Sequence, residues 1–294
     1  MASMKDIKRR RSSIESTQQI TKAMKLVSTV KLQRAKQRAE QSEHYFNSIY
    51  DTVSSILARA KGIDHPYLRE GKSGKKAVIL ITSNKGLAGG YNSNVIKLIT
   101  KNESFNPENT KIYAIGIKGR DAMRHAGFEI MKDFSEAIEA PAYRDGAEVT
   151  KELLAGFEAG EISEIYLAYT FFKNTVSHIP TLLKLLPVDM ENKKPSEKEG
   201  TEKEASLKDA PMNFEPEDEE ALSLIIPKYV ASLIYGAMVE AQASENGARM
   251  QAMDNATNNA AEMIDKLTLL YNRARQGAIT QELTEIIAGA DAIS

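Results

Sequence analysis

The nine prolines of this 294-residue chain all fall between Pro66 and Pro227, so residues 1–65 and 228–294 contain none. A proline inside a helix removes one backbone hydrogen bond and clashes with the preceding turn. Both ends of the chain are therefore free to form very long helices. Glycine, the next weakest helix former, first occurs at Gly62. Residues 4–60 are rich in Lys, Arg, Gln, Ala, Ser and Glu, which a helix accepts. Met4, Ile7, Ile14, Ile20, Met24, Val27 and Val30 recur mostly 3, 4 or 7 apart. That narrow stripe predicts a coiled-coil seam rather than a wide core face. At 1.5 Å per residue the helix would run about 85 Å, too long for a compact domain of this size. It is expected to project.

The other end reads the same way. After Pro216 comes an acidic turn, Glu217 to Glu220, as a helix N-terminus prefers. Ile226, Val230, Leu233, Ala237 and Ala241 follow at 3 to 4 spacing, and Ala248, Ala252, Ala256 and Ala260 at strict steps of four. Met263, Leu267, Leu270 and Ala274 close the stripe. Alanine at such positions lets a partner helix approach closely.

Between the ends the period changes. Short apolar runs at 77–82, 112–117, 165–172 and 179–188 alternate with helical stretches near 92–102, 119–126 and 146–158. Strands alternating with helices imply a mostly parallel sheet covered on both faces. Only Lys173 to His178 separate the last two runs, too few for a crossover helix, so that pair is expected as an antiparallel edge hairpin. The fold class is α/β: a long antiparallel coiled coil of the terminal helices plus a central Rossmann-like domain. The expected divisions are a shaft helix over 1–65, a connector over 66–75, the α/β foot over 76–190, a charged flexible insertion over 191–213 and a second shaft helix over 214–294. Residues 191–220 carry 11 acidic and 5 basic side chains and three prolines, the composition of a solvated insertion.

Few motifs promise chemistry. Gly71-Lys72-Ser73 looks like the end of a phosphate-binding loop, but the required earlier glycine is Pro66, and the strand follows instead of preceding. A flexible connector is the better reading. Gly86, Gly89 and Gly90 in TSNKGLAGGYN follow a strand and open a helix, where a dinucleotide fold places its phosphate loop. Their spacing is wrong for that fingerprint, and no acidic residue ends the next strand. A tight structural turn fits better. The four histidines are far apart and without metal-ligand spacing. No nucleophile elbow is present, and with no cysteine there is no thiol chemistry or disulfide. No catalytic residue, cofactor site or metal site is expected, nor direct nucleotide binding.

Charge is uneven. Lys plus Arg is 39 and Asp plus Glu 40, so bulk charge does not mark a nucleic-acid binder. Yet residues 1–40 carry 11 basic and 3 acidic side chains. A basic rod with an apolar stripe suits an acidic surface, and the lack of aromatics before Tyr45 counts against single-stranded nucleic acid. A basic coiled-coil adaptor or DNA-binding protein is the alternative, and an enzyme on the central domain a weaker one. No run of 18 uninterrupted apolar residues occurs, so no transmembrane segment is expected. The N-terminus lacks the apolar core of a secretion signal.

The termini carry a resemblance. IKRRRSSIESTQQITKAMKLVSTVKLQRAK is similar to the N-terminal signature of the gamma subunits of bacterial F-type ATP synthases. SENGARMQAMDNATNNAAEMIDKLTLLYNRARQGAITQELTEIIAGADAI is similar to their C-terminal signature, and TSNKGLAGGYN to their central glycine motif. The resemblance implies a rotor shaft inside a ring of alpha and beta subunits, with a foot on the c-ring beside the epsilon subunit. The shaft would couple proton-driven rotation to ATP synthesis or hydrolysis at the beta subunits, itself non-catalytic, on the cytoplasmic face of the cell membrane. Residue by residue it implies beta-subunit contact at Arg275, Gln276, Thr280 and Met24, rotor coupling at Arg249 and Glu285, and an apolar bearing at Ile286, Ile287 and Ile293. Phe214 and Glu215 would face epsilon and the c-ring. The absence of cysteine argues against the redox-controlled chloroplast type.

Overall fold

The computed structural model describes residues 4–59, 65–69, 71, 74–188 and 218–291. Phe214, Glu215, Ile293 and the 191–213 insertion lie outside the described residues. The elements are α1 (Met4–Arg59), β1 (Lys76–Ile81), α2 (Tyr91–Thr100), β2 (Thr110–Ile115), α3 (Ile117–His125), β3 (Glu129–Asp133), α4 (Tyr143–Glu158), β4 (Glu164–Phe172), β5 (His178–Leu186) and α5 (Asp218–Asp291). The chain divides into two units, one of Met1–Ser28 with Arg249–Ser294 and one of Thr29–Ala248. Both long helices are shared between the units. Pro227 lies inside α5, so the last proline does not mark the helix start.

In the larger unit the strands run in the order β3-β2-β1-β4-β5. β1 pairs in parallel with β2 and β4, β2 with β3 likewise, and β4 and β5 form the antiparallel edge hairpin. β1 is buried along Ala77–Ile81 because both faces are covered. Alternation sorts its side chains. Val78 and Leu80 pack with Val95 and Ile99 of α2 and Met123 of α3. Ala77, Ile79 and Ile81 face the other way, onto Val149, Leu153 and Phe157 of α4 and Leu222 through Ala241 of α5. Burying each such aliphatic side chain contributes about 1.5–3 kcal/mol, so these two layers hold the unit together.

Two expectations change here. β3, with the pattern exposed–half-buried–exposed, is a fifth strand that the sequence reading passed over. The connector is tied down in its described part. Tyr67 is buried and donates a short hydrogen bond to Glu158. The Gly71 amide donates to the Ser163 carbonyl (3.3 Å), and a side chain at 71 would meet the Ser163 backbone at 2.6 Å.

Among the described residues, one helix, over Leu222–Ala290, is long and apolar enough by composition to cross a membrane, and 61% of its apolar window is buried within this fold, as in a core helix. Polar residues such as Lys228, Ser232 and Glu240 interrupt it, so counting uninterrupted apolar runs did not flag it.

Candidate functional site

The carboxyl ends of parallel strands are where a doubly wound sheet binds ligands. Here that edge is closed by the chain's own polar groups. Thr82, just past β1, accepts a hydrogen bond from the Gly119 amide (2.8 Å) and donates to the Gly116 carbonyl (3.2 Å). Asn84 accepts from the Ile117 amide (3.0 Å) and donates to the Ser135 carbonyl (2.8 Å). Asn92 accepts from the Ser83 amide (2.9 Å). The Gly116 amide reaches the Ser135 hydroxyl (3.3 Å). First-turn amides of α3, the kind that would cradle a phosphate, are thus already occupied. At the end of β4, the Ser244 hydroxyl of α5 donates to the Thr170 carbonyl (3.1 Å).

Of the three predicted turn glycines, Gly89 has a positive φ (56°), while Gly90 sits at φ −82° as the cap of α2. Leu87, between Gly86 and Gly89, takes φ 63° with its side chain largely exposed, a conformation rare for a bulky residue.

Two charged clusters brace the sheet. Burial of Asp133 would raise its pKa, but hydrogen bonds from Ser135 and Arg120 outweigh this and hold the carboxyl below its ordinary value. Burial of Glu164 is likewise outweighed by Lys184 (2.7 Å) and Lys76 (3.3 Å), and its pKa also falls below the ordinary value. Among the described residues, no group of three His, Asp or Glu side chains is placed to hold a metal.

The smaller unit is a two-helix pair. Arg11 lies over the Tyr271 ring (5.9 Å), Thr21 pairs with Thr257 (2.8 Å) and Lys25 with Asp254 (2.6 Å). Partners descend along α5 as α1 ascends, so the helices are antiparallel. In this unit the shielded positions of α1 include Ile7, Arg11, Ile14, Gln18, Thr21, Lys25 and Ser28, alternately 4 and 3 apart. That is a heptad seam, which shares Ile7 and Ile14 with the predicted line, has Met24 half-buried beside it, and departs from the prediction elsewhere. Ile20, Val27 and Val30 are exposed. On α5 the seam is Met253, Thr257, Ala260, Ile264, Leu267, Tyr271, Ala274 and Ala278, leaving Met263 and Leu270 exposed.

Met24 and Arg249 are half-buried in this pair, while Arg275, Gln276, Thr280, Glu285, Ile286 and Ile287 are exposed on α5. Gln276 and Thr280 share an edge, with the Thr280 hydroxyl donating to the Gln276 carbonyl (2.9 Å). Arg275 stands about 100° round the helix from Gln276. Glu285 accepts from Gln281 (3.0 Å). Every residue from Ile279 to Ala290 is exposed. Ile279, Leu283, Ile286 and Ile287, at 49%, 55%, 68% and 60% exposure, form one stripe. Ile279 and Leu283 were missed by the sequence reading, although their spacing of 4 and then 3 to Ile286 was visible.

The chain matches the family described as ATP synthase over residues 3–293. It is 62% identical over 295 residues to the ATP synthase gamma chain of Lachnoclostridium phytofermentans, covering all of both chains. It is 40% identical to the sodium-ion-specific ATP synthase gamma chain of Acetobacterium woodii, covering 99% of each. Among solved structures it resembles a chain of the Euglena gracilis mitochondrial ATP synthase OSCP/F1/c-ring assembly in rotational state 3. That match has a TM-score of 0.67 at 18% identity, over 99% of this chain and 94% of that one.

Proposed function

The chain belongs to the gamma-subunit family of ATP synthases, the rotor of their central stalk, and from this premise we propose how its parts share the work. It is a subunit of the rotary ATPase complex, in the F1 portion peripheral to the membrane sector. Its own role is mechanical and non-catalytic. Residues 275–294 turn inside the alpha–beta ring, with Arg275, Gln276 and Thr280 meeting acidic loops of a beta subunit. Arg275 supplies charge-assisted hydrogen bonds, and Gln276 neutral ones. Thr280 must give up its bond to the Gln276 carbonyl to donate outward, and otherwise accepts. Ile286, Ile287 and Ile293 form the apolar bearing, where contact is non-directional and rotation breaks no fixed bond. Arg249 and Glu285 couple rotor position to catalysis.

The divisions expected from sequence carry the remaining roles: helices over 1–65 and 214–294 as shaft, 76–190 as foot. Phe214 and Glu215 face epsilon and the c-ring, on the cytoplasmic face of the membrane. Gly86, Gly89 and Gly90 shape a turn rather than hold nucleotide, a reading supported by the first amide of α2, where Tyr91 donates to the Ala88 carbonyl within that turn (3.2 Å). The observation that carries the proposal is the exposed helix end at 279–290 with its apolar stripe. Such a stripe on a lone helix suits a nonpolar sleeve.

The test is co-purification with tagged beta subunit followed by ATPase assay. Deletion of 275–294 is expected to abolish a stable, active alpha–beta–gamma complex, and unchanged assembly and turnover would overturn the bearing. Met24→Lys is expected to lower ions pumped per ATP by pairing with a beta-subunit carboxylate. An unchanged ratio in reconstituted vesicles would remove Met24 from the contact.

A further inference from the structure

Gly247 lies within the 74-residue helix α5, where glycine weakens a helix by roughly 1 kcal/mol relative to alanine. A packing reason for it is visible. A Cβ at 247 would stand 2.7 Å from His178 Cε1, 3.2 Å from its Nε2 and 3.7 Å from Phe172 Cε2. The first distance is well inside the 3.5–4.0 Å optimum for nonbonded carbons. The His178 ring is positioned by packing alone. Both its nitrogens are buried without a hydrogen-bond partner among the described residues, and it packs on Phe172 with centroids 5.9 Å apart, the Lys36 ammonium lying 5.9 Å from that same Phe172 ring. Burial pulls the His178 pKa below its ordinary value. One turn before Gly247, Ser244 bonds the Thr170 carbonyl. Positions 244 and 247 share a helix face, so α5 meets the β4–β5 hairpin at two successive points. A second close crossing lies at Gly146 of α4, where a Cβ would be 2.8 Å from the Ala231 carbonyl.

We propose that Gly247 and His178 form a positioning key that stops α5 from rolling on the β4–β5 hairpin, so that torque passes along the helix without slip. The inference rests on the rotor function. The ring of His178 enters the notch that the missing side chain leaves, off the helix axis, where it resists axial rotation. Purely apolar packing of Val230 through Ala241 is non-directional and opposes such rolling less. The same helix continues past Arg249 into the two-helix unit.

The test is a double-mutant cycle on Gly247→Ala and His178→Ala in the assembled, reconstituted ATP synthase. Ions transported per ATP hydrolysed are read in the same vesicles, with protons and with sodium ions. Each single variant is expected to lower that ratio by about twofold or more, and because the two residues are in contact their effects are expected not to add. In the His178→Ala background, Gly247→Ala is expected to change nothing further, because the ring it would strike is gone. Equal effects of Gly247→Ala in both backgrounds would make the glycine a matter of helix flexibility and overturn the key. So would unchanged ratios in both single variants. Where Gly247→Ala fails to assemble, recovery of assembly by His178→Ala supports the key, and continued failure refutes it. An uncoupled wild-type complex would instead sink the rotor reading itself.

Discussion

The two units of the molecule are held by different kinds of contact. The sheet unit is sealed by two apolar layers in which Ile79, Leu80, Ile115 and Leu167 are wholly buried. The helix pair has Ile7 and Ile14 at one end of its seam, but Arg11, Gln18, Thr21, Lys25 and Ser28 share that line. A layered apolar core gains stability with area and tolerates no empty space. A seam in which polar residues of α1 share the line with apolar residues of α5 gains less, but each polar pair is directional and marks one register. The difference suits a body that must not deform joined to a helix pair that must hold alignment while its outer faces stay open to other surfaces.

Glycine provides the sharpest break. Gly116 has φ 122°, and a side chain there would lie 2.1 Å from the Thr82 carbonyl oxygen. Gly116→Ala is expected to destabilise the sheet unit by about 4 kcal/mol or more, since strain and clash combine. Thermal unfolding of the purified chain measures it, and a loss under about 1 kcal/mol would mean that this core yields far more than its packing indicates.

The next effect concerns the charges bracing the sheet. Glu164→Gln leaves Lys76 and Lys184, both mostly buried, facing a neutral amide, and is expected to cost about 2 kcal/mol. Glu164 and Asp133 have folded-state pKa values below their ordinary 4.5 and 3.8. Their contribution is complete above those ordinary values and is lost as pH falls through the lower folded ones. Acid unfolding of wild type should therefore steepen below about pH 4.5, and Glu164→Gln should flatten that slope. A slope unchanged by the variant would assign acid sensitivity elsewhere.

How much of this was readable beforehand follows from the same contrast. Where burial is decided by apolar area, the sequence spoke clearly. AVILI and IYLAY stood out as strands, and the short Lys173–His178 link correctly implied the edge hairpin. β3 was missed because EIMKD, an edge strand carrying Glu129, Lys132 and Asp133, has one half-buried face and no apolar run. The seam was misplaced for the opposite reason. Counting apolar residues selected Ile20, Val27 and Val30, which are exposed, whereas the true line runs through Thr21, Lys25 and Ser28. Strict steps of four from Ala248 also drift round the helix by about 40° each, so the prediction reached Met263 and Leu270 on an open face. The candidate contact residues came from motif resemblance, since their exposed side chains make few contacts within the chain that periodicity could reveal.

A smaller, opposite effect is expected in the helix pair. Gly277 lies inside α5, and a Cβ added there would meet nothing within 4 Å. Gly277→Ala should stabilise by up to about 1 kcal/mol, through helix propensity alone. Destabilisation in the isolated chain would show that this stretch is packed after all. Greater stability with slower ATP turnover in the assembled complex would show that the glycine is kept for bending near Gln276 and Thr280.

The smallest effect tests whether the polar seam serves register more than stability. The Thr21 and Thr257 hydroxyls lie 2.8 Å apart, and each is also within reach of a carbonyl of its own helix, Gln18 (3.0 Å) and Met253 (2.7 Å), so one hydroxyl donates to the other while that one donates to its carbonyl. Valine keeps the branched shape while removing the hydroxyl. Because both partners leave together, Thr21→Val with Thr257→Val strands no buried donor and should change stability by less than about 0.5 kcal/mol. Either single change should be the worse one, by about 1 kcal/mol at most, since it leaves one hydroxyl facing a methyl group. Stability read by thermal unfolding is then paired with a distance between spin labels across the two helices. The valine pair should broaden that distance even as stability holds, because Lys25 with Asp254, a part-exposed pair worth little alone, is left to fix the register. A double variant that loses more than about 2 kcal/mol would place this seam with the apolar core in kind, and the contrast between the two units would fail.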